Sequence, residues 1–523
     1  MSVASAPPTV ATTEHGLLVP LGTWAQQIGL VTALGRVPFK MKTVDHGPGD
    51  KLAELLVHIL AGGMHLKELE TAPHPLVYDH PVARAWGQAA FASASGVSAL
   101  LRAATEESVA GLKREVRQVL APYRRRVLRD LSPAWLVVDV DLTGLVVSDQ
   151  ATTYEGADFG YMGAVDGPAK GYQFARAQLS TPRESWVLGG FLHPGRTIAV
   201  QCLAELVTLV EAELGRPRRR VEVVAARAQQ ARRELATIEQ AIAERARGPV
   251  FVRRRQKRLE AQRERRQAEV AALQARSDQL AADNAANPNP RRIILRLDGG
   301  FGDAAHLAWL YEQGYDFVAR PHSYRVGEGL RREEGLRWEK ISKNGFIAES
   351  QRTTLGKSPY PVRLFACRQW RGEDQPERWS ALVTNPELRA EAWPVRRVGT
   401  FYNERQAIEA GIKEGKGLFA SRHLPTRHRA GIALYQELVL LAQNLIRWFR
   451  TRLGRPWLAA GVKELVRIGA NSRALLVDHA RGTILQFVED SPWRGRRLPL
   501  RQHIAYQLWF PFLEDRALAA PGP

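Results

Sequence analysis

The chain has 523 residues, 45% of them hydrophobic, with a formal net charge of +20 and a pI of about 10.3. That length suits two to four domains with real cores, and the Arg-led positive excess calls for a polyanionic partner, either nucleic acid or an anionic membrane surface. Cys202 and Cys367 are the only cysteines, which excludes a cysteine-ligated zinc site and a disulfide framework. No apolar window of about 18 residues or more is present, and the N-terminus lacks a signal-peptide pattern. No membrane partner is expected, and a reducing cytoplasmic setting is.

Residues 1–20 read as a disordered tail, and 21–130 as a helical domain. Asp50 is the expected N-cap of a helix whose apolar stripe is Leu52, Leu55, Leu56, Ile59 and Leu60, ending at Gly62-Gly63. Pro81–Gln88, a turn at Phe91–Ala94, and Ser95–Ala104 read as a helix-turn-helix or as part of a plain helical bundle.

From 131 to 215 the pattern turns to α/β. Trp135–Val147 is an apolar run broken by acids, as in a buried central strand. Strands follow near 170–179 and 186–192, then a helix over 197–214. Residues 216–286 read as an antiparallel helical hairpin about 40 Å long. Val224, Ala228, Ala231, Leu235, Ile238 and Ile242 make a heptad seam. Gly248-Pro249 breaks the helix, and Leu259, Val270, Leu273 and Leu280 line the return. Its dense arginine, including Arg218–Arg220 and Arg253–Arg255, suits a solvated strut or an arm that contacts DNA or dimerises. Residues 287–319 give a linker, a buried strand Arg292–Leu297 ending at Asp298, a helix over 303–313 and a strand Asp316–Ala319. The stretch 320–400 reads as strands, with turns at Gly327, Gly345 and Gly372. A helix over 402–416 and a long apolar helix, about Ala430–Leu453, fill 401–455. Residues 456–523 are mixed, with dimerisation one role for them.

On one continuous helix, Tyr402, Arg405, Glu409 and Lys416 fall within an arc of roughly 60°, with Lys413 close beside. A carboxylate ringed by cations suits a site for a metal ion and a phosphate chain; it also suits a solvated face with Arg405–Glu409 and Glu409–Lys413 pairs. Asp139 and Asp141 alternate onto one face of the first core strand, where acids are costly unless paired or metal-bound. Asp298 ends the second strand, where ligand crevices of α/β sheets form.

Strand Asp, strand-end Asp and helix Glu, in this order, resemble the three carboxylates of a ribonuclease-H-like nuclease core. Tyr402, Arg405, Glu409 and Lys416 match Y-x2-R-x3-E-x6-K, and the chain thereby resembles bacterial insertion-sequence transposases of the Asp-Asp-Glu class. Asp141-Leu142-Thr143 and Leu297-Asp298-Gly299-Gly300-Phe301-Gly302 are similar to that family's two aspartate motifs. The resemblance implies an α/β, ribonuclease-H-like catalytic core with a β-rich insertion at 320–400, and the hairpin at 216–286 as an added arm. The N-terminal helical domain would bind DNA. Asp141, Asp298 and Glu409 would be the catalytic metal ligands for Mg²⁺, with Mn²⁺ able to substitute; Asp139 is a rival first ligand. Tyr402, Arg405, Lys413 and Lys416 would hold DNA phosphates. Trp379, in Arg378–Thr384, would support an unstacked base or else fill the core of the β segment.

The implied activity is cleavage at terminal inverted repeats and strand transfer into target DNA, by cut-and-paste through a hairpin. The implied partners are those DNAs and a second copy, as a homodimer on DNA, in a bacterial nucleoid setting. A DNA-binding protein without activity and a nuclease without strand joining are the alternatives. Other motifs are poor: Gly356-Lys357-Ser358 lacks the first glycine of a P-loop, the spacing over Gly299–Gly302 is wrong for a dinucleotide fold, and His423 and His428 suit phosphate contact or solvation.

Overall fold

The computed structural model describes residues 9–42, 45–131, 135–148, 150, 152–163, 167–181, 185–246, 253–370, 377–453, 457, 460–479, 482–494 and 497–502. The chain opens with a short strand, β1 (Thr9–Thr13). Helices α1 (Leu18–Gln27), α2 (Leu30–Gly35), α3 (Pro48–Leu60), α4 (Glu68–Thr71), α5 (His80–Ala85), α6 (Ala94–Ala103), α7 (Glu106–Val119) and α8 (Ala121–Leu131) follow. The expected stripe of α3 is buried throughout. Asp50 is not its N-cap, however: Pro48 begins the helix, and the Asp50 carboxylate accepts from the Gly47 N–H at 2.8 Å, as a third-position acid does. The helix-turn-helix segment forms α5 and α6, with Ser93 rather than Ser95 capping α6. Val97, Leu100 and Leu101 of α6 are buried, so this face packs inward.

The core sheet begins with β2 (Leu136–Val146), β3 (Asp158–Tyr161), β4 (Pro168–Ser180) and β5 (Ser185–Pro194). After α9 (Ala199–Leu214), α10 (Val221–Ala246) and α11 (Arg253–Ala285) come β6 (Ile293–Leu297), α12 (Ala304–Glu312) and β7 (Asp316–Ala319). Central strand order is β5-β4-β2-β6-β7; β4 runs antiparallel to β2 and β5, while β2, β6 and β7 are mutually parallel. This mixed α/β sheet is compatible with a ribonuclease-H-like core.

The stretch 320–400 is not all strand and is not a separate sheet. Gly327 lies in helix α13 (Tyr324–Arg331), where a turn was expected, because Leu330 anchors an apolar face on the sheet. Strands β8 (Glu339–Ser342), β9 (Gly345–Glu349), β10 (Arg363–Gln369) and β11 (Arg378–Thr384) extend the core sheet through β11 against β7, with Thr384 opposite Val318. Gly372 lies outside the described residues.

The 402–416 helix is two helices. α14 (Val395–Asn403) ends and α15 (Gln406–Leu418) begins across a tight turn, where Arg405 N–H donates to Tyr402 O and Ala407 N–H to Glu404 O. The long apolar helix is α16 (Arg429–Arg452), buried almost end to end. α17 (Val462–Arg467) leads to β12 (Ala474–His479), β13 (Gly482–Phe487) and β14 (Arg497–Gln502). These three make a second antiparallel sheet, which β1 completes by pairing Thr9–Thr13 with Ala474–Asp478. The expected disorder over 1–20 is therefore wrong from residue 9: the strand pairs, and Leu17, Leu18 and Val19 join the main core. Among the described residues, no helix is long and apolar enough to cross a membrane.

The hairpin forms, but its seam closes only near its base. Val224, Ala228 and Ala231 pack on Leu273 and Leu280, whereas Leu235, Ile238 and Ile242 stay half-exposed. Two of its root arginines are structural. Arg219 pairs with Glu211 at 2.7 Å, and Arg220 with Asp316 at 2.6 Å, so neither is free for DNA. Gly248-Pro249 and the side chains of Arg253–Arg255 lie outside the described residues.

Candidate active site

Alternation along β2 turns Asp139 and Asp141 to one face of the sheet, and the α14–α15 junction crosses that face. Asp139 is fully buried and gripped by Arg296, Nε to Oδ1 at 2.6 Å and Nη2 to Oδ2 at 2.7 Å. Ser180 Oγ also donates to it. Arg296 donates onward to the Phe401 carbonyl at 2.9 Å, so this pair fixes where α14 ends. Every oxygen of Asp139 is thus engaged inside the protein, which sets Asp139 aside as the first ligand.

Asp141 has a different neighbour. Arg405, itself buried, places Nη2 3.1 Å from Asp141 Oδ1, 3.1 Å from the Val140 carbonyl and 3.8 Å from Asp298 Oδ2. Its Nη1 lies 3.4 Å from Glu409 Oε1. Asp141, Asp298 and Glu409, distant in sequence, therefore meet around one guanidinium. Burial pushes the Asp141 carboxyl up to about 6; Arg405 opposes the rise and the Asp298 carboxylate adds to it. Burial draws the Arg405 guanidinium down, but Asp141 and Asp298 outweigh it and raise its pKa.

The acids are presented by short, well-tied segments. Asp298 follows the end of β6, and its Oδ1 accepts the Gly300 N–H at 3.0 Å. Tyr402 donates its hydroxyl to the Leu297 carbonyl at 3.2 Å and is buried, which pushes the phenol up to about 12. In this arrangement Tyr402 braces the Asp298 strand end; its hydroxyl is not presented to a ligand. Lys416 donates to the Gly144 carbonyl of β2 at 3.0 Å, and burial lowers its pKa while Asp141 opposes that. Lys413 is exposed on α15. Trp379 lies elsewhere: its ring meets Trp338 edge-on at 5.5 Å, and its Nε1 donates to Glu377 at 2.7 Å.

Sequence reading missed the buried bases beneath the site. Arg176 faces Asp141 across the β2–β4 register and donates to Gln178 at 2.8 Å and to Gln443 at 3.4 Å. Burial draws its pKa down to about 10. A Cβ at Gly411 would come within 2.9 Å of Gln178 Oε1 and 3.1 Å of Arg176 Nη2. Glycine there lets α15 approach the sheet closely enough to bring Glu409 over Asp141. The missed signal was an arginine inside each of two apolar strands, Arg176 and Arg296, which needs partners as much as an acid does.

Residues 264–445 match the family model described as a transposase DDE domain. Over that stretch the chain is similar to transposases of the DDE type. The matched stretch runs from within α11 to within α16, so it includes Asp298, Trp379, Tyr402, Arg405, Glu409 and Lys416, while Asp141 precedes it. No curated protein matches the chain. A transposase domain implies DNA as the partner, in keeping with the net charge of +20.

Three carboxylates are the donor set that a hard divalent cation of the magnesium class takes. A desolvated Asp141 beside Asp298 also calls for positive charge. Yet among the described residues no three such side chains close on one point as a ready cage. The guanidinium of Arg405 lies between them.

Proposed function

We propose that this transposase cuts DNA at the terminal inverted repeats of its element and joins the freed ends to target DNA. The observation that carries this reading is the meeting of Asp141, Asp298 and Glu409 around Arg405, within a chain that carries a transposase DDE domain. Those three acids would hold divalent metal, Mg²⁺ or Mn²⁺, whose charge when bound would assist departure and attack of oxygens at phosphorus. Arg405 carries a charged guanidinium able to exchange a carboxylate for a DNA phosphate as the substrate enters. Lys416 and exposed Lys413, on the same helix as Glu409, would hold phosphates beside the reacting one. Tyr402 would keep the Asp298 strand end in place, and Trp379 would support an unstacked base.

Water would attack the phosphodiester at the element's end and free a 3′-hydroxyl. That hydroxyl would attack the opposite strand to give a hairpin, a second water would reopen it, and the 3′-hydroxyl would then attack target DNA. Each step exchanges one P–O bond for another, so no nucleotide triphosphate is needed. Two ends must be held together, so the working form is a homodimer on DNA.

The test is a labelled terminal repeat incubated with purified protein and Mg²⁺. Hairpinned and joined products that vanish on Glu409→Gln are the expected result. Binding without cutting would replace the reading with a DNA-binding protein, and nicks never joined would replace it with a nuclease.

A further inference from the structure

We propose that the cleft between the N-terminal helices and the core binds a backbone phosphate of the DNA, about five base steps from the bond that is cut. The inference rests on the proposed reading that this protein cuts DNA, and it adds a contact point to it. The cleft has a volume of about 650 Å³ and opens to solvent between the loop joining α3 to α4, the first turn of α6, the end of β2 and the loop after α15. His65 and Lys67 enter it from one side, and Arg422 and His423 from the other. Among the described residues, neither Asp nor Glu lines it. The nearest acid in the charge balance, Glu68, has one oxygen engaged by the Met64 N–H at 2.7 Å.

The basic side chains pack closely. The His65 and His423 rings meet edge-on, with centroids 4.9 Å apart, and Arg422 Nε donates toward His423 Nε2 at 3.3 Å. Burial, then His65 and Arg422, lower the His423 pKa. An entering phosphodiester would accept from Lys67 and Arg422, with Ser95 of α6 as a further donor at the rim.

The core wall of the cleft is held firmly. Ala420 adopts a left-handed backbone, φ 54°, directly after α15. Its carbonyl accepts the Tyr435 hydroxyl at 3.2 Å, and the Ser421 carbonyl accepts Gln436 Nε2 at 2.8 Å. Arg422 and His423 thus project from a fixed turn, at the other end of the helix that carries Glu409. The position also sets a spacing. Val146, in the cleft, is five residues beyond Asp141 on β2, about 17 Å at the rise of a strand. With the duplex axis running along β2, a rise of about 3.4 Å per step would set the bound phosphate about five steps from the reacting one.

The test uses the full-length protein and a labelled duplex of the terminal repeat with its flanking DNA, without divalent metal. Lys67→Ala with Arg422→Ala should weaken binding about tenfold near 0.15 M salt and flatten the log–log salt slope by about two. Ethylation of single phosphates should interfere with wild-type binding about five positions from the cut, and not with the double variant. A double variant with unchanged melting temperature, affinity and slope would overturn the cleft. Should the double variant melt early, Lys67→Gln with Arg422→Gln takes the same readings, and unchanged values again overturn it. These losses in the double variant, beside a wild-type protein that binds but never cuts, would leave the cleft standing and remove the proposed function.

Discussion

Asp139 and Asp141 are two residues apart on one strand and one face, yet their surroundings have opposite designs. Asp139 is closed: a bidentate arginine and a serine engage it, and no surface remains. Asp141 is held by Arg405 and by the backbone N–H of Leu142, beside a second acid, and its carboxyl is pushed up to about 6. The lower pair is built to stay as it is, fixing the end of α14. In the upper cluster one guanidinium answers three carboxylates, and the proposed function has it exchange them for a DNA phosphate. A carboxylate pays for burial either by a permanent counter-charge or by waiting for one, and these two neighbours show both.

The largest effects should separate the two by type. Asp141→Asn should abolish cutting while leaving the melting temperature near that of the wild type. Arg296→Met should instead unfold the chain earlier, by about 3–5 kcal/mol, since Asp139 would stay buried without its partner. Urea unfolding beside the cleavage assay checks both; the reverse assignment would merge the two designs.

A third acid sharpens the comparison because among the described residues no ion pair holds it, and Lys51 only weakly offsets its burial. Glu54 of α3 is buried, accepts the Ala92 N–H at 2.9 Å, and is raised to about 8 by burial. Between its ordinary value of 4.5 and about 8, the folded chain holds one proton more than the unfolded chain. Stability from this group is therefore full below the lower value and falls as pH rises through that window. Glu54→Gln should flatten this loss, read as melting temperature from pH 5 to pH 8.5.

How the upper cluster was foreseen, and how its support was not, follows from what spacing can carry. Asp141, Asp298 and Glu409 were legible as candidates from strand alternation, a strand end and a four-residue pattern, while the preference for Asp141 over Asp139 came from the resemblance of Asp141-Leu142-Thr143 to a family motif. The break at Glu404–Arg405 was not: the pattern there is equally regular for one helix, and the partner of the Phe401 carbonyl, Arg296, comes from another element. Tyr402 was read as a phosphate contact because a helical wheel cannot show that its hydroxyl reaches the Leu297 carbonyl. Likewise β1 looked like a tail because its partner strand lies at the other end of the chain. The arginines at the hairpin's root looked free because their acids, Glu211 and Asp316, belong to other elements.

Smaller effects test the supports. Gly411→Ala should cost about 1–3 kcal/mol and slow cutting, because its methyl meets Gln178 and Arg176 and lifts α15 from the sheet. Paired melting and rate measurements check this; a rate loss without any stability loss would place Gly411 in the chemistry instead. Tyr402→Phe should cost about 1 kcal/mol or less, because the Leu297 carbonyl loses the Tyr402 hydroxyl but keeps the Arg320 N–H at 3.1 Å. Denaturant midpoints decide it, and an unchanged midpoint with weakened DNA binding would return Tyr402 to phosphate contact.

The most direct measurement is anomalous diffraction from the protein bound to terminal-repeat DNA with Mn²⁺. The account expects manganese touching Asp141, Asp298 and Glu409, with Arg405 drawn back to a DNA phosphate and Asp139 still locked to Arg296. Manganese on other residues, or Arg405 still lodged among the three acids with DNA in place, would contradict it.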